Sequence, residues 1–105
     1  MTRDAKIVVI GGGVGGLSLL YHLTELGLTD AVLLEADELT SGSTWHAAGL
    51  CTQFIQSYNL MGLLRYSLDL YETLEASTGQ PVDLHRCGSV SIGTTADRLD
   101  HPLHV

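Results

Sequence analysis

A glycine cluster near the start limits what this chain can fold into. From Lys6 the sequence reads Lys-Ile-Val-Val-Ile-Gly-Gly-Gly-Val-Gly-Gly, ending at Gly16. The four β-branched residues Ile7 to Ile10 predict a short strand buried on both faces, as in a parallel sheet. Gly11, Gly13 and Gly16 form G-x-G-x-x-G, and an apolar helical pattern runs from Leu17 to Leu26. Each glycine meets a separate demand. Gly11 allows the tight turn out of the strand. Gly13 lets a pyrophosphate approach the backbone, and Gly16 lets the helix pack close to the strand. The helix N-terminus then offers unpaired N–H groups and a positive dipole end to the phosphates.

Glycine-rich turns are common, so the flanking residues decide how much the motif means. A second strand is predicted over Ala31 to Leu34 and ends in Glu35, nineteen residues after Gly16. An acid at that distance accepts hydrogen bonds from a ribose 2′-OH. The competing bland reading is an ordinary βαβ turn with Glu35 merely solvated. A P-loop needs Lys where Leu17 stands, so nothing would reach the β- and γ-phosphates. The carboxylate of Glu35 disfavours a 2′-phosphate and hence NADP. FAD and NAD both stay open on these residues.

Length and charge narrow the function classes. At 105 residues the chain is one domain at most. A dinucleotide fold usually takes two βαβαβ halves, so the sequence reads as the front part of a larger domain. The formal net charge is −7, with five Lys or Arg scattered along the chain. No basic face is on offer to a phosphate backbone, which argues against nucleic acid and against an anionic membrane surface. The N-terminal residues carry an acid, and the apolar run after them is too short for a signal core or a membrane span. A cytoplasmic location is the expectation. Cys51 and Cys87 lack Cys-x-x-Cys spacing and read as buried, reduced thiols. No metal site is expected: His85 and Cys87 share one predicted strand, but two ligands do not make a site.

Further along, Gly27 is a plausible left-handed helix cap. Residues 36–50 have no clear period and predict a loop, with a helical turn in it, at the carboxyl edge where open α/β sheets bind ligands. Gly42, Ser43 and Thr44 offer N–H and O–H donors there, and Trp45 is expected to be a packing anchor. From Ser57 to Ser77 the stripe Leu60, Leu64, Leu68, Tyr71 and Leu74 predicts a long helix, with Asp69, Glu72 and Glu75 on a solvated face. Gly79 and Pro81 stop it. Val82 to Arg86 and Ser89 to Thr94 predict two strands around Cys87-Gly88. Asp100 to Val105, with His101 and His104, predict a frayed tail.

Three features occur together: the Gly11–Gly16 turn, Glu35, and Leu39-Thr40-Ser41-Gly42-Ser43-Thr44-Trp45-His46-Ala47-Ala48-Gly49. In that combination the chain resembles the N-terminus of the dimethylglycine and sarcosine dehydrogenase family, within the D-amino-acid-oxidase-like flavoproteins. The likeness continues through Tyr66 to Glu72, Thr78-Gly79-Gln80-Pro81 and Gly88-Ser89-Val90, and it fades after about Arg98. The Ser-Thr-Trp-His segment is far more specific than the glycine motif.

The resemblance implies an α/β fold. A Rossmann-type FAD-binding βαβ unit with parallel strands would be followed by a long helix and the start of a substrate-domain sheet. Residues 1–105 would be the N-terminal portion of a D-amino-acid-oxidase-type domain. It implies FAD bound through Gly11, Gly13, Gly16, Glu35, Gly42, Ser43, Thr44 and His46, with His46 as the point of covalent flavin attachment. It implies an enzyme oxidising a small N-methyl amine with hydride transfer to flavin, and reoxidation by oxygen or an electron-transfer flavoprotein. No general base is named by these residues, and the stretch alone is expected to be marginally folded and inactive. Two other readings remain: a non-catalytic regulatory subunit resembling that of pyruvate dehydrogenase phosphatase, and an NAD-dependent half-domain. Retention of Trp45-His46 favours the enzyme.

Overall fold

Strand formation starts where the β-branched run starts. In the computed structural model, which describes residues 4–53, 55, 57–90 and 92–96, β1 spans Ile7–Ile10. Helix α1 spans Val14–Glu25, β2 Ala31–Leu34 and α2 Tyr58–Thr78. The chain divides into two compact units, Met1–Leu50 and Cys51–Val105.

The first unit is a βαβ unit. β1 and β2 pair in parallel, with Ile7 opposite Ala31 and Ile10 opposite Leu34. A parallel pair needs a crossover, and α1 supplies it. The helix begins three residues before the apolar pattern does. Val14, Gly15 and Gly16 are weak helix formers that periodicity does not register, yet the bond from Leu17 N–H to Gly13 O (3.0 Å) closes the first turn. At the far end Gly27 adopts φ 79°. Its N–H bonds to Thr24 O (2.9 Å) and the N–H of Leu28 to Leu23 O (2.8 Å), the paired closure of a Schellman cap.

Burial in this unit is one-sided. Val9 is 5% exposed, whereas Ile10 is 85% exposed and Val8, Val32 and Leu34 are open. The expectation of a strand buried on both faces therefore fails outside Val9. A two-stranded sheet with one crossover helix covers only one of its faces. Trp45, expected to anchor packing, is 78% exposed, because its turn sits beyond the sheet edge with no apolar layer of this unit above it.

The second unit is built on α2. Ser57 leads into it in extended conformation, and the Met61 N–H bonds to Ser57 O (2.9 Å). Gly79 ends it at φ 70°, with its N–H on Glu75 O (2.9 Å). Leu68 is the buried centre of the apolar stripe; Leu64, Tyr71 and Leu74 are half-buried and Leu60 is open. Two of the helix carboxylates do more than face solvent. Glu72 pairs with Arg86, and Glu75 accepts the Val82 N–H at 3.5 Å.

No strand forms among the described residues after Gly79. Asp83 takes φ 54°, the Cys87 N–H turns back to His85 O (3.2 Å), and Gly88 takes φ 70°. These interrupt an extended run, and no neighbouring strand is present among the described residues to complete a ladder. Cys51 and Cys87 are free and exposed, contrary to the expectation of buried thiols, because both lie on segments outside the regular elements. Ser91, Arg98 and the expected tail from Asp100 to Val105 lie outside the described residues.

Candidate dinucleotide site

The parallel register puts the carboxyl ends of β1 and β2 side by side, and every residue of the candidate site in this unit follows from that edge. Gly11 extends the ladder by donating its N–H to Leu34 O (2.8 Å), then turns at φ 101°, a conformation that is strained for any L-residue. A Cβ on Gly16 would stand 1.9 Å from Gly11 O, so helix and strand exit approach as closely as two backbones can. The N–H groups of Gly15 and Gly16 precede the helical ladder and take no partner among the described residues. They form an anion-facing end.

Glu35 lies at the tip of β2. Its Oε2 accepts the Gly12 N–H at 2.5 Å, and Oε1 accepts those of Ala36 (2.7 Å) and Asp37 (3.1 Å). These bonds, that of Gly12 foremost, hold the carboxyl below its ordinary value against a small opposing effect of desolvation. A carboxylate offers about four acceptor positions. With three filled by backbone donors, Oε2 retains one for a further donor such as a ribose hydroxyl.

The 39–46 segment is a run of turns docked on the glycine loop. Thr40 N–H donates to Gly12 O (2.9 Å). The Thr44 hydroxyl accepts the Val14 N–H at 2.9 Å, and a Cβ on Gly13 would lie 3.1 Å from that same oxygen. The crowding at Gly13 thus comes from Thr44. A hydroxyl that accepts keeps its own proton to donate. Ser43 O accepts the His46 N–H (3.2 Å), and Gly42 O accepts the Trp45 N–H (3.2 Å). His46 is exposed, and its Nδ1 lies 2.9 Å from Gly42 O. A carbonyl oxygen only accepts, so Nδ1 carries a proton, and in the neutral ring the lone pair is on Nε2.

The structure therefore brings Gly11, Gly13, Gly16, Glu35 and Thr44 to one edge, and carries Gly42, Ser43 and His46 on the turn that Thr44 fastens there. Sequence reasoning missed Gly12, Leu39 and Thr40. A Cβ on Gly12 would meet Leu39 Cδ2 at 2.5 Å and Glu35 Oε2 at 3.0 Å. Three consecutive glycines were the signal, since the motif itself asks for only two of them. Thr40 holds φ 66°, which no sequence pattern for a β-branched residue announces.

This glycine-bounded, donor-rich edge agrees with a comparison against known families. Residues 6–104 match the family described as FAD dependent oxidoreductase, DAO. The chain belongs to that family. Among its relatives, dimethylglycine dehydrogenase of Rattus norvegicus is 53% identical over 91% of this chain and 11% of its own length. A 4-methylaminobutanoate oxidase (formaldehyde-forming) of Paenarthrobacter nicotinovorans is 44% identical over 99% of this chain and 13% of its own length. Sarcosine dehydrogenase of Homo sapiens is 43% identical over 95% of this chain and 11% of its own. The chain thus spans about a tenth of the length of these relatives. The residues present fit the family's cofactor: a cradle that side chains would fill at Gly12, Gly13 and Gly16, free N–H groups at a helix start, and one acceptor position left on Glu35.

Proposed function

We propose that this chain is the FAD-anchoring part of an amine oxidoreductase acting on N-methylated glycine derivatives, and that His46 carries the flavin covalently. The observation that supports this best is the turn bearing His46, fastened to the dinucleotide loop through Thr40 and Thr44. In this reading Gly15 and Gly16 N–H groups and the Thr44 hydroxyl bind pyrophosphate oxygens, Glu35 accepts from the adenosine ribose, and Ser43 donates toward the ribityl chain. A neutral imidazole nitrogen is a nucleophile, and Nε2 is the ring nitrogen of His46 that is not engaged with Gly42 O. When bound, FAD supplies the two-electron acceptor for oxidising a carbon–nitrogen single bond. The names of the relatives point to N-methyl amines as the substrate class.

A regulatory role keeps one supporting observation. The pyruvate dehydrogenase phosphatase regulatory subunit of Mus musculus is 41% identical over 95% of this chain. The two readings part on a visible spectrum of the intact protein, followed by anaerobic addition of N-methylglycine or N,N-dimethylglycine. Flavin bands that bleach with either amine support the enzyme. Absence of a chromophore supports the regulatory subunit, and turnover that requires NAD overturns both. Oxygen uptake during turnover then separates an oxidase from an enzyme that passes electrons to a flavoprotein. We keep a cytoplasmic location within the proposal. Fractionation checks it, and recovery with mitochondria, where the names of several relatives place them, would overturn it.

A further inference from the structure

We infer that Thr44 is a positioning residue: its hydroxyl docks the turn that carries His46 onto the start of α1, and so sets where the imidazole stands. This rests on the reading of His46 as the attachment site.

Among the described residues the geometry isolates one side-chain hydrogen bond as the tie. Between the 39–46 turn and the glycine loop the described hydrogen bonds are two. One is backbone to backbone, Thr40 N–H to Gly12 O at 2.9 Å, and it lies six residues from His46. The other runs from the Val14 N–H to Thr44 Oγ1 at 2.9 Å, two residues from His46. Val14 is the first residue of α1, and its N–H precedes the helical ladder, so the Thr44 oxygen satisfies a donor that would otherwise face solvent. Gly13 leaves the room for this approach, because a Cβ there would stand 3.1 Å from Thr44 Oγ1. The rest of the turn is closed on itself. Gly42 O takes the His46 Nδ1–H at 2.9 Å and Thr44 O takes the Ala47 N–H at 3.2 Å, so the ring moves with the turn as one piece. Moving Thr44 therefore moves Nε2.

Placement of Nε2 governs its reaction rate, since an error of about 1 Å costs up to about a hundredfold. Attachment would form a C–N bond between His46 Nε2 and a ring methyl carbon of the flavin, with loss of one methyl C–H hydrogen and of the Nδ1–H proton. The two hydrogens leave as two protons and two electrons, which dioxygen takes up as hydrogen peroxide.

The test compares the intact wild-type protein with Thr44→Ser and Thr44→Val. Flavin that stays with acid-precipitated protein is followed after FAD is added at saturating concentration to apoprotein. Amide hydrogen exchange is read in peptides covering residues 12–17 and 38–47. Thr44→Val should attach flavin at least about tenfold more slowly than wild type and exchange faster in both peptides. Thr44→Ser, which keeps the oxygen, should restore both. Wild-type attachment and exchange in Thr44→Val would overturn the inference, as would failure of Thr44→Ser to rescue. If the wild-type protein itself holds no acid-stable flavin, the reading of His46 has failed. Exchange then decides the docking role alone: faster exchange in Thr44→Val upholds it and unchanged exchange overturns it.

Discussion

The two units use the chain differently. In Met1–Leu50, backbone contacts define the structure: Gly16 against Gly11 O, Gly12 N–H on Glu35, Thr40 N–H on Gly12 O. Few side chains are buried, yet positions are closely constrained, because a Cβ on Gly16 would meet backbone and one on Gly12 or Gly13 would meet the side chains of Leu39, Glu35 and Thr44. In Cys51–Val105 a single helix supplies the order, Leu68 is its buried centre, and the segment after Gly79 is tied to the helix by the Arg86–Glu72 pair and by the Val82 N–H on the Glu75 carboxylate. The contrast teaches where substitution should hurt. Gly11, Gly12, Gly13 and Gly16 in the first unit should be intolerant, whereas the second unit should depend on apolar bulk and tolerate changes in charge.

The strongest way to break this contrast is to ask whether close backbone contacts suffice by themselves. Residues 1–105 in isolation should show no cooperative thermal transition and no oxidation of N-methylglycine. A two-stranded sheet with Ile10 and Leu34 open lacks the burial needed for independent stability. A sharp melting transition with turnover would refute this.

Next in size is a matched pair of glycine substitutions in the intact protein. Gly16→Ala forces a Cβ to 1.9 Å from Gly11 O, and FAD affinity should fall by about a hundredfold or more. Gly62→Ala, inside α2 with open space around it, should stabilise by about 1 kcal/mol. Titration with FAD and a denaturant curve read the two effects. Equal tolerance at both positions would erase the distinction between the units.

Glu35→Gln sharpens the account of the first unit. FAD affinity at pH 7 should fall about tenfold. Because three N–H groups hold the folded-state carboxyl below its ordinary 4.5, the charge stabilises the folded form in full above that value. The contribution fades as pH falls below it toward the lowered folded-state pKa. Wild type and Glu35→Gln should therefore differ in stability at neutral pH and converge in acid. A constant gap down to acid pH would contradict this.

The smallest effect is expected at the Glu72–Arg86 pair, which is largely solvated. Arg86→Ala should cost less than about 1 kcal/mol in a denaturant titration. A loss of several kcal/mol would mean that the segment after Gly79 is held by much more than surface charge.

Legibility in the sequence followed the range of the contacts. β1, β2 and both helices were readable because period, β-branching and stop signals act within a few residues. The motif glycines and Glu35 were readable because one short crossover fixes their spacing. The strands expected over Val82–Arg86 and Ser89–Thr94 were not realised among the described residues, since alternation predicts a face but supplies no partner strand. Burial at Ile10, Trp45, Cys51 and Cys87 was misjudged because hydrophobicity states a preference, and only a covering layer satisfies it. Gly12 and Thr40 escaped notice because their constraint arises from a loop some thirty residues away in the chain for Gly12 and from a positive φ for Thr40. The specificity of Ser-Thr-Trp-His came from resemblance, whereas the docking of that segment through Thr44 came only from the geometry.

The central claim is that the docked turn presents His46 to FAD for covalent attachment. A peptide map of the acid-precipitated intact holoprotein, with masses measured on each peptide, tests it most directly. The account predicts that yellow colour stays with the pellet, that the peptide containing His46 carries the added mass of FAD, and that His46→Ala releases its flavin into the supernatant. Flavin that washes out of the wild-type protein with acid, or a flavin mass on any other peptide, would contradict it.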